Sequence, residues 1–121
     1  HNNLGKVYFE QERYYLAAWE FEYAAKLMPH RSEPRNNLGL VFEAVGKLDP
    51  AIDAYTRALD LEPENPVVIG NLARARIRRG DEGEEVRRLL SDLIMRDTRR
   101  DWVDWARETL ALLGGPVDEG R

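Results

Sequence analysis

A repeat of 34 residues constrains the fold of this chain more than any other feature of its sequence. Leu4-Gly5, Leu38-Gly39 and Leu72-Ala73 recur at this step. Further pairs keep the same spacing, namely Tyr8 with Phe42, Ala17 with Ala51, Phe21 with Tyr55, Ala24 with Ala58, and Pro29 with Pro63. A fixed period of this length indicates one supersecondary unit per repeat, and such units bury their apolar faces by stacking on their neighbours.

The order Leu-Gly, aromatic, Ala, aromatic, Ala and Pro resembles the signature of the tetratricopeptide repeat (TPR). The resemblance is strong over 2–80 and loose in the remainder of the chain. It implies an all-α fold, a right-handed α-solenoid of antiparallel helix pairs. It also implies a non-catalytic scaffold for protein–protein interaction, which binds an extended peptide or partner segment in a concave groove.

Apolar residues recur at helical spacing in seven segments, and strand-like alternation is nowhere sustained. The predicted helices are 1–11, 14–28, 33–45, 48–61, 66–79, 82–96 and 99–113. They form a first repeat over 1–31 that is truncated at its start, a second over 32–65, a degenerate third over 66–97, a C-terminal capping helix over 98–114, and a disordered tail over 115–121.

The residues between the helices predict how each helix begins and ends. Gly46 and Gly80 are expected in turns, where a positive φ costs glycine little. The side chains expected to cap helix N-termini are Asp49, Asn65, Asp81 and Thr98.

The small residues predict a close approach of the two helices in each pair. We expect Gly5 to face Ala17 in the first pair and Gly39 to face Ala51 in the second. The space between successive pairs is then expected to be filled by the aromatic residues Tyr8, Phe21, Phe42 and Tyr55.

The composition excludes several functions. A net charge of −4 argues against general nucleic-acid binding, and no apolar run approaches the roughly 20 residues that span a bilayer. The absence of cysteine excludes disulfides and thiolate metal sites. His1 and His30 fit no catalytic arrangement, so we expect no enzymatic activity, metal or cofactor. No signal peptide is visible, which slightly favours a cytoplasmic location, although a start inside a repeat leaves the compartment open.

The first helix of each pair lines the groove in TPR proteins, and the resemblance implies the same here. Asn3, Asn37 and Asn71 each precede the repeated Leu and form a ladder of amides that are able to bind a peptide backbone. A purely structural role between neighbouring helices is the alternative. The other groove residues expected from this helix face are Asn2, Lys6, Phe9, Asn36, Leu40, Glu43, Arg74 and Arg78.

Charge in the groove favours an acidic partner at one end. The basic cluster consists of Arg74, Arg76, Arg78 and Arg79, and pairing with the acidic segment 81–85 is the competing interpretation. The carboxylate clamp of TPR proteins that serve heat-shock chaperones is not expected. Its final basic pair is replaced by Val67 and Asn71.

Three aromatic residues predict a second surface. Tyr15, Trp19 and Tyr23 lie four residues apart on the second helix and therefore share one face. The inward face of this helix is already supplied by Ala17, Phe21 and Ala24, so we expect an interface here. The alternative function is then a structural assembly module, which forms a homo-oligomer or docks to other parts of a larger protein through this stripe. Coverage by a preceding segment would also explain it.

Overall fold

The computed structural model describes residues 1–118, and over these residues it contains seven α-helices and no strand. The all-α prediction is therefore confirmed, and each helix lies within two residues of its predicted bounds. None of the described helices is both long enough and apolar enough to cross a membrane. Residues 119–121 of the predicted disordered tail lie outside the described part. The helices are α1 (Asn2–Glu10), α2 (Tyr14–Leu27), α3 (Glu33–Ala44), α4 (Leu48–Leu61), α5 (Pro66–Arg79), α6 (Glu84–Arg96) and α7 (Arg100–Leu112).

The chain divides into two compact units, His1–Pro63 and Glu64–Arg121. In the first unit, α1 packs against α2 and α3 packs against α4, while α2 also packs against α3. In the second unit, α6 packs against both α5 and α7. Within each unit, the second helix of a pair thus packs against the helix before it and the helix after it, as α2 does with α1 and α3.

Glycine beneath an aromatic ring is the main packing device of the first unit. A Cβ atom on Gly5 would lie 2.5 Å from Cε1 of Phe21, and the ring of Tyr55 covers Gly39 in the same way. Both rings are almost completely buried. The expectation that alanine faces each glycine stays a prediction, because the nearest atoms to each glycine are those of the ring. Phe21 also packs with Val41 of the next pair, as expected for an aromatic residue between successive pairs.

One turn geometry ends the first helix of every pair. Positive φ angles occur at Glu12 (59°), Gly46 (79°), Gly80 (104°) and Gly114 (103°), at steps of 34 residues. The N–H of Gly46 donates to the carbonyl of Glu43 at 3.1 Å, and the next N–H donates to Phe42 at 2.8 Å. The same two bonds recur at the other three turns. The prediction for Gly46 and Gly80 is confirmed, and α7 ends as the first helix of a pair does.

The helix N-termini agree with the sequence at one of four predicted caps. Oδ1 of Asn65 accepts a hydrogen bond from the N–H of Val67 at 3.0 Å, as expected. The other three caps are wrong, because α4 begins one residue before Asp49 and the N-caps of α6 and α7 are Gly83 and Arg99. None of these three helices has a side-chain cap bond.

The second unit uses its glycine differently. A Cβ atom on Gly70 would lie 2.8 Å from Cζ3 of Trp102, so the aromatic ring that covers α5 comes from α7. Leu93 of α6 lies next to it, 3.5 Å from the same point. The buried apolar residues of α6 and α7 are Val86, Leu90, Leu93, Ala106 and Leu110.

Candidate functional site

A cleft of about 140 Å³ lies between α1 and α3 of the first unit. Its floor is apolar, and Phe9 there makes an edge-to-face contact with Tyr14 at a centroid distance of 5.5 Å. Four residues that the sequence assigned to the groove meet here. The complete lining is Lys6, Phe9, Glu10, Phe21, Asn37 and Leu40.

A hydrogen-bonded network borders this cleft. Nζ of Lys6 lies 2.6 Å from Oε1 of Glu33, and Nδ2 of Asn2 donates to the same oxygen at 2.9 Å. Nδ2 of Asn37 donates in turn to Oδ1 of Asn2 at 3.0 Å. The hydrogen bond from Lys6 is the main cause that lowers the pKa of Glu33. The network keeps this carboxylate ionised and positions both amides.

Glu33 is a member of the network that the sequence analysis did not identify. Its position could have indicated it, because it precedes Asn36 and Asn37 by three and four residues and Leu40 by seven. Residues at these spacings share one face of a helix. The predicted set of groove residues therefore lacked Glu33.

The asparagine ladder has unequal exposure. Asn37 and Asn71 are 8% and 4% exposed, and Asn36 is similarly buried, whereas Asn3 is exposed. Asn3 borders a separate polar depression with Met28 and Arg31, not the cleft that Asn37 lines. Peptide contact along this ladder stays a prediction.

Glu43 does not have the role that its helix face predicted. It is 4% exposed, and its Oε1 accepts a hydrogen bond from the hydroxyl of Tyr55 at 2.8 Å. The expectation that Glu43 points into the groove is wrong, because a buried tyrosine hydroxyl needs a partner and this carboxylate supplies it. The carboxyl group of Glu43 is therefore part of the core.

Two arginines of the basic cluster of the second unit form ion pairs with the acidic segment. Asp81 contacts Arg76 at 3.3 Å and Arg79 at 2.6 Å, and the hydrogen bond from Arg79 is the main cause that lowers the pKa of Asp81. Glu85 also contacts Arg76 at 3.3 Å. Pairing with the acidic segment, the competing interpretation of the sequence, thus holds for Arg76 and Arg79.

Arg74 lines a tryptophan-lined cleft of about 330 Å³ in the second unit. Its guanidinium carbon is 5.3 Å from the centroid of Trp102, which also meets Trp105 edge-to-face at 5.7 Å. Arg99 stacks on Trp102 as well, at 4.6 Å. Both tryptophans belong to the predicted capping helix, and both are partly exposed in this cleft. Asp101 completes the lining.

The outward face of α2 is exposed, as its spacing indicated. Tyr15, Trp19 and Tyr23 carry much of the exposed aromatic surface of the first unit. The ring of Tyr23 contacts only one aromatic neighbour in the described part, His1 at 4.2 Å. Arg78, the last predicted groove residue, is also exposed, on α5. The role of α2 as an interface stays a prediction.

Comparison with known sequences agrees with the repeat. Residues 32–65 match the family model described as the tetratricopeptide repeat. This segment therefore has the sequence pattern of a tetratricopeptide repeat. The resemblance seen in the sequence is thereby confirmed for the TPR that comprises α3 and α4. Among curated proteins, no sequence matches the chain.

Solved structures agree over nearly the whole chain. The first TPR of Spaghetti (RPAP3) bound to the HSP90 peptide SRMEEVD has a TM-score of 0.84 at 16% identity, covering 94% of this chain and 93% of that chain. The type III secretion chaperone SycD of Yersinia enterocolitica, in complex with a peptide of the translocator YopD, has a TM-score of 0.84 at 17% identity, covering 93% and 88%. Another structure of SycD has a TM-score of 0.77 at 18% identity, covering 93% and 77%. These likenesses establish the fold as an all-α helical repeat solenoid of the TPR type.

The TPR period also describes α7. Trp105 comes 34 residues after Asn71, and Trp102 comes 34 residues after Val68. In this period α7 takes the position of the first helix of a further repeat. The tryptophan-lined cleft, which α5 and α7 line, therefore corresponds to the α1–α3 cleft of the first unit.

Proposed function

We propose that this protein is a non-catalytic recognition module that holds an extended peptide segment of a partner protein in the cleft between α1 and α3. The observation that carries the proposal is the mixed lining of that cleft. Phe9 and Leu40 offer apolar contact, while Lys6 and Glu10 offer opposite charges beside it. Binding sites combine an apolar floor with a few placed polar groups in this way.

The structural neighbours support a peptide as the ligand. The Spaghetti domain is in complex with an HSP90 peptide, and SycD is in complex with a YopD peptide. Because this chain shares their fold, a peptide is the ligand class that we propose for it. Val67 and Asn71 stand at the positions of the basic clamp pair, so we do not propose recognition of a free C-terminal carboxylate.

The tryptophan-lined cleft of the second unit is the proposed site of acidic preference. Tryptophan and arginine are the side chains that most often anchor partners at interfaces. Trp102 and Trp105 would contact apolar parts of the partner, and Arg74 would pair with a carboxylate. Arg78 adds positive charge on the same helix. Asn37 and Asn71 would assist by contacting the peptide backbone.

Selection of binders from a random peptide library tests the proposal. We expect the selected peptides to share an apolar residue, because Phe9 and Leu40 require one. Leu40→Glu should weaken their binding by about tenfold, which corresponds to about 1.4 kcal/mol. Isothermal titration with the best peptide measures the change.

Leu61→Glu is the matched control, since Leu61 is a partly exposed leucine of the same unit that lies outside the cleft. It should leave the affinity unchanged. A library without binders, or equal affinity of the Leu40→Glu and Leu61→Glu variants, would contradict the proposed cleft. Circular dichroism of each variant verifies that the helices are intact.

A further inference from the structure

The outward face of α2 exposes more aromatic surface than a helix in a solvated protein normally does. Tyr15 is 84% exposed, Trp19 63% and Tyr23 45%. Leu16 and Leu27 on the same helix are also exposed. A contiguous apolar patch of this kind indicates an interaction surface, because single exposed apolar residues are common but clusters are not.

The residues of this face are arranged symmetrically about Trp19. Tyr15 and Tyr23 lie four residues before and after it, and Glu12 and Lys26 lie seven before and after it. Residues at these spacings follow one face of a helix, and Glu12 lies in the turn just before α2. Within the described residues, neither Glu12 nor Lys26 forms an ion pair.

We propose that α2 pairs with α2 of a second copy of this chain, in antiparallel orientation, with the two-fold axis at Trp19. Antiparallel pairing about that axis sets Tyr15 opposite the second copy's Tyr23. It also sets Glu12 opposite the second copy's Lys26. The two tyrosines of each copy then have aromatic partners, and Glu12 and Lys26 have partners of opposite charge.

Charge complementarity is the reason for choosing a second copy over another occupant. An interface with two-fold symmetry must be self-complementary, so that a residue and its symmetry mate match each other. The α2 face and the turn before it meet this condition for these two charges, since Glu12 and Lys26 are equidistant from Trp19 in the sequence. A different partner protein would not require that symmetry. The surface is distinct from the α1–α3 cleft, so the two proposals fail independently.

Sedimentation equilibrium of the purified chain tests the pairing. We expect the mass to rise with concentration from 14.0 kDa toward twice that value. Trp19→Glu should hold the mass at 14.0 kDa at every concentration. Met95→Glu is the matched control, because Met95 is 81% exposed on α6 and should leave the association unchanged.

Charge reversal tests the orientation. Glu12→Lys and Lys26→Glu should each weaken the dimer, because like charges then meet across the axis. The double variant should restore it, since the opposite charges are only exchanged.

Chemical cross-linking tests the register, because the native chain has no cysteine. A mixture of Tyr15→Cys and Tyr23→Cys chains should cross-link readily with a short bismaleimide. Tyr15→Cys chains alone should cross-link poorly, since the two thiols would lie about 12 Å apart along the helix axis at 1.5 Å per residue.

Three results would overturn the proposal. The first is a wild-type chain that stays at 14.0 kDa throughout, which would leave the face to a different partner. The second is a Trp19→Glu variant that dimerises as the wild type does. The third is a double charge variant that stays as weak as the single ones, or Tyr15→Cys chains that cross-link as well as the mixture does.

Discussion

The two units share one turn period but pack their first helices differently. In the first unit, Gly5 and Gly39 each lie beneath a ring from the second helix of the same pair. In the second unit, Ala73 occupies the equivalent position, and the glycine–aromatic contact joins Gly70 of α5 to Trp102 of α7. The 34-residue period of the turns continues into the second unit, whereas the contact between a glycine and a ring of the same helix pair does not.

The consequence is a difference in how tightly each aromatic residue is held. Tyr55 is completely buried, and its hydroxyl is bonded to Glu43. Trp102 is partly exposed and lines a cleft. The regular unit thus buries the aromatic ring that covers its glycine, whereas the irregular unit leaves that ring partly exposed.

The largest expected effect is that of a bulky side chain at Gly39. Gly39→Leu should lower the free energy of unfolding by about 3 kcal/mol, because the ring of Tyr55 has no free space to enter. Gly70→Leu should cost about 1 kcal/mol, because the partly exposed Trp102 is able to rotate away. Urea denaturation followed by circular dichroism measures both values. Equal costs at the two glycines would refute the difference between the units.

The turn after the second helix gives the next largest effect. Pro29 and Pro63 occupy this turn in the first unit, and Asp97 occupies the equivalent position in the second. Its carboxylate accepts hydrogen bonds from the backbone N–H of Arg99 at 2.9 Å and from Nη2 of the same residue at 2.6 Å. Asp97→Asn should therefore cost about 1–2 kcal/mol at neutral pH. Asp53→Asn, which affects only an exposed pair with Arg57, should cost less than about 0.5 kcal/mol.

The effect of Asp97 should depend on pH in a defined direction. The hydrogen bond from the Arg99 side chain is the main cause that lowers the pKa of Asp97. Because the pKa is lower in the folded state than in the unfolded state, the stabilisation is complete above the ordinary value of 3.8 and is lost as the pH falls through the folded pKa. The stability difference between wild type and Asp97→Asn should thus shrink in acid. A difference that stays constant from neutral pH into this range would exclude an ionic role for Asp97.

The smallest expected effect concerns the one turn that lacks glycine. Glu12 has a φ of 59° at the position that Gly46, Gly80 and Gly114 occupy in the later turns. A left-handed conformation costs a residue with a side chain about 1 kcal/mol. Glu12→Gly should raise the thermal midpoint slightly, and Gly46→Ala should lower it, although a methyl group there meets nothing within 4 Å. A lower midpoint for Glu12→Gly would show that the Glu12 side chain contributes more than its strain costs.

The helices were predictable because the sequence period and the turn residues define them independently. Apolar spacing gave the helix faces, and Gly46 and Gly80 gave the ends of two first helices. The cleft was predictable in part for the same reason, since Lys6, Phe9 and Leu40 share the helix faces that border it.

The errors have a physical cause in each case. Helix spacing indicates the direction of a side chain but not its partners. The hydrogen bond between the buried Tyr55 hydroxyl and Glu43 could therefore not be predicted. The prediction of α7 as a capping helix did not include the cleft that Trp102 and Trp105 line. The ring of Trp102 lies over Gly70 of α5, and helix spacing does not show a contact between residues 32 positions apart.

The distribution of tryptophan makes the cooperativity of unfolding directly measurable. Trp19 belongs to the first unit, while Trp102 and Trp105 belong to the second. The tryptophan emission of a Trp19→Phe chain therefore comes from the second unit alone, and that of a chain with both other tryptophans replaced by Phe comes from the first. The stability of a repeat protein is approximately the sum of the stabilities of its individual repeats and of the interfaces between neighbouring repeats. Denaturation curves of the two variants, followed by tryptophan fluorescence, would show whether the two units unfold at the same denaturant concentration.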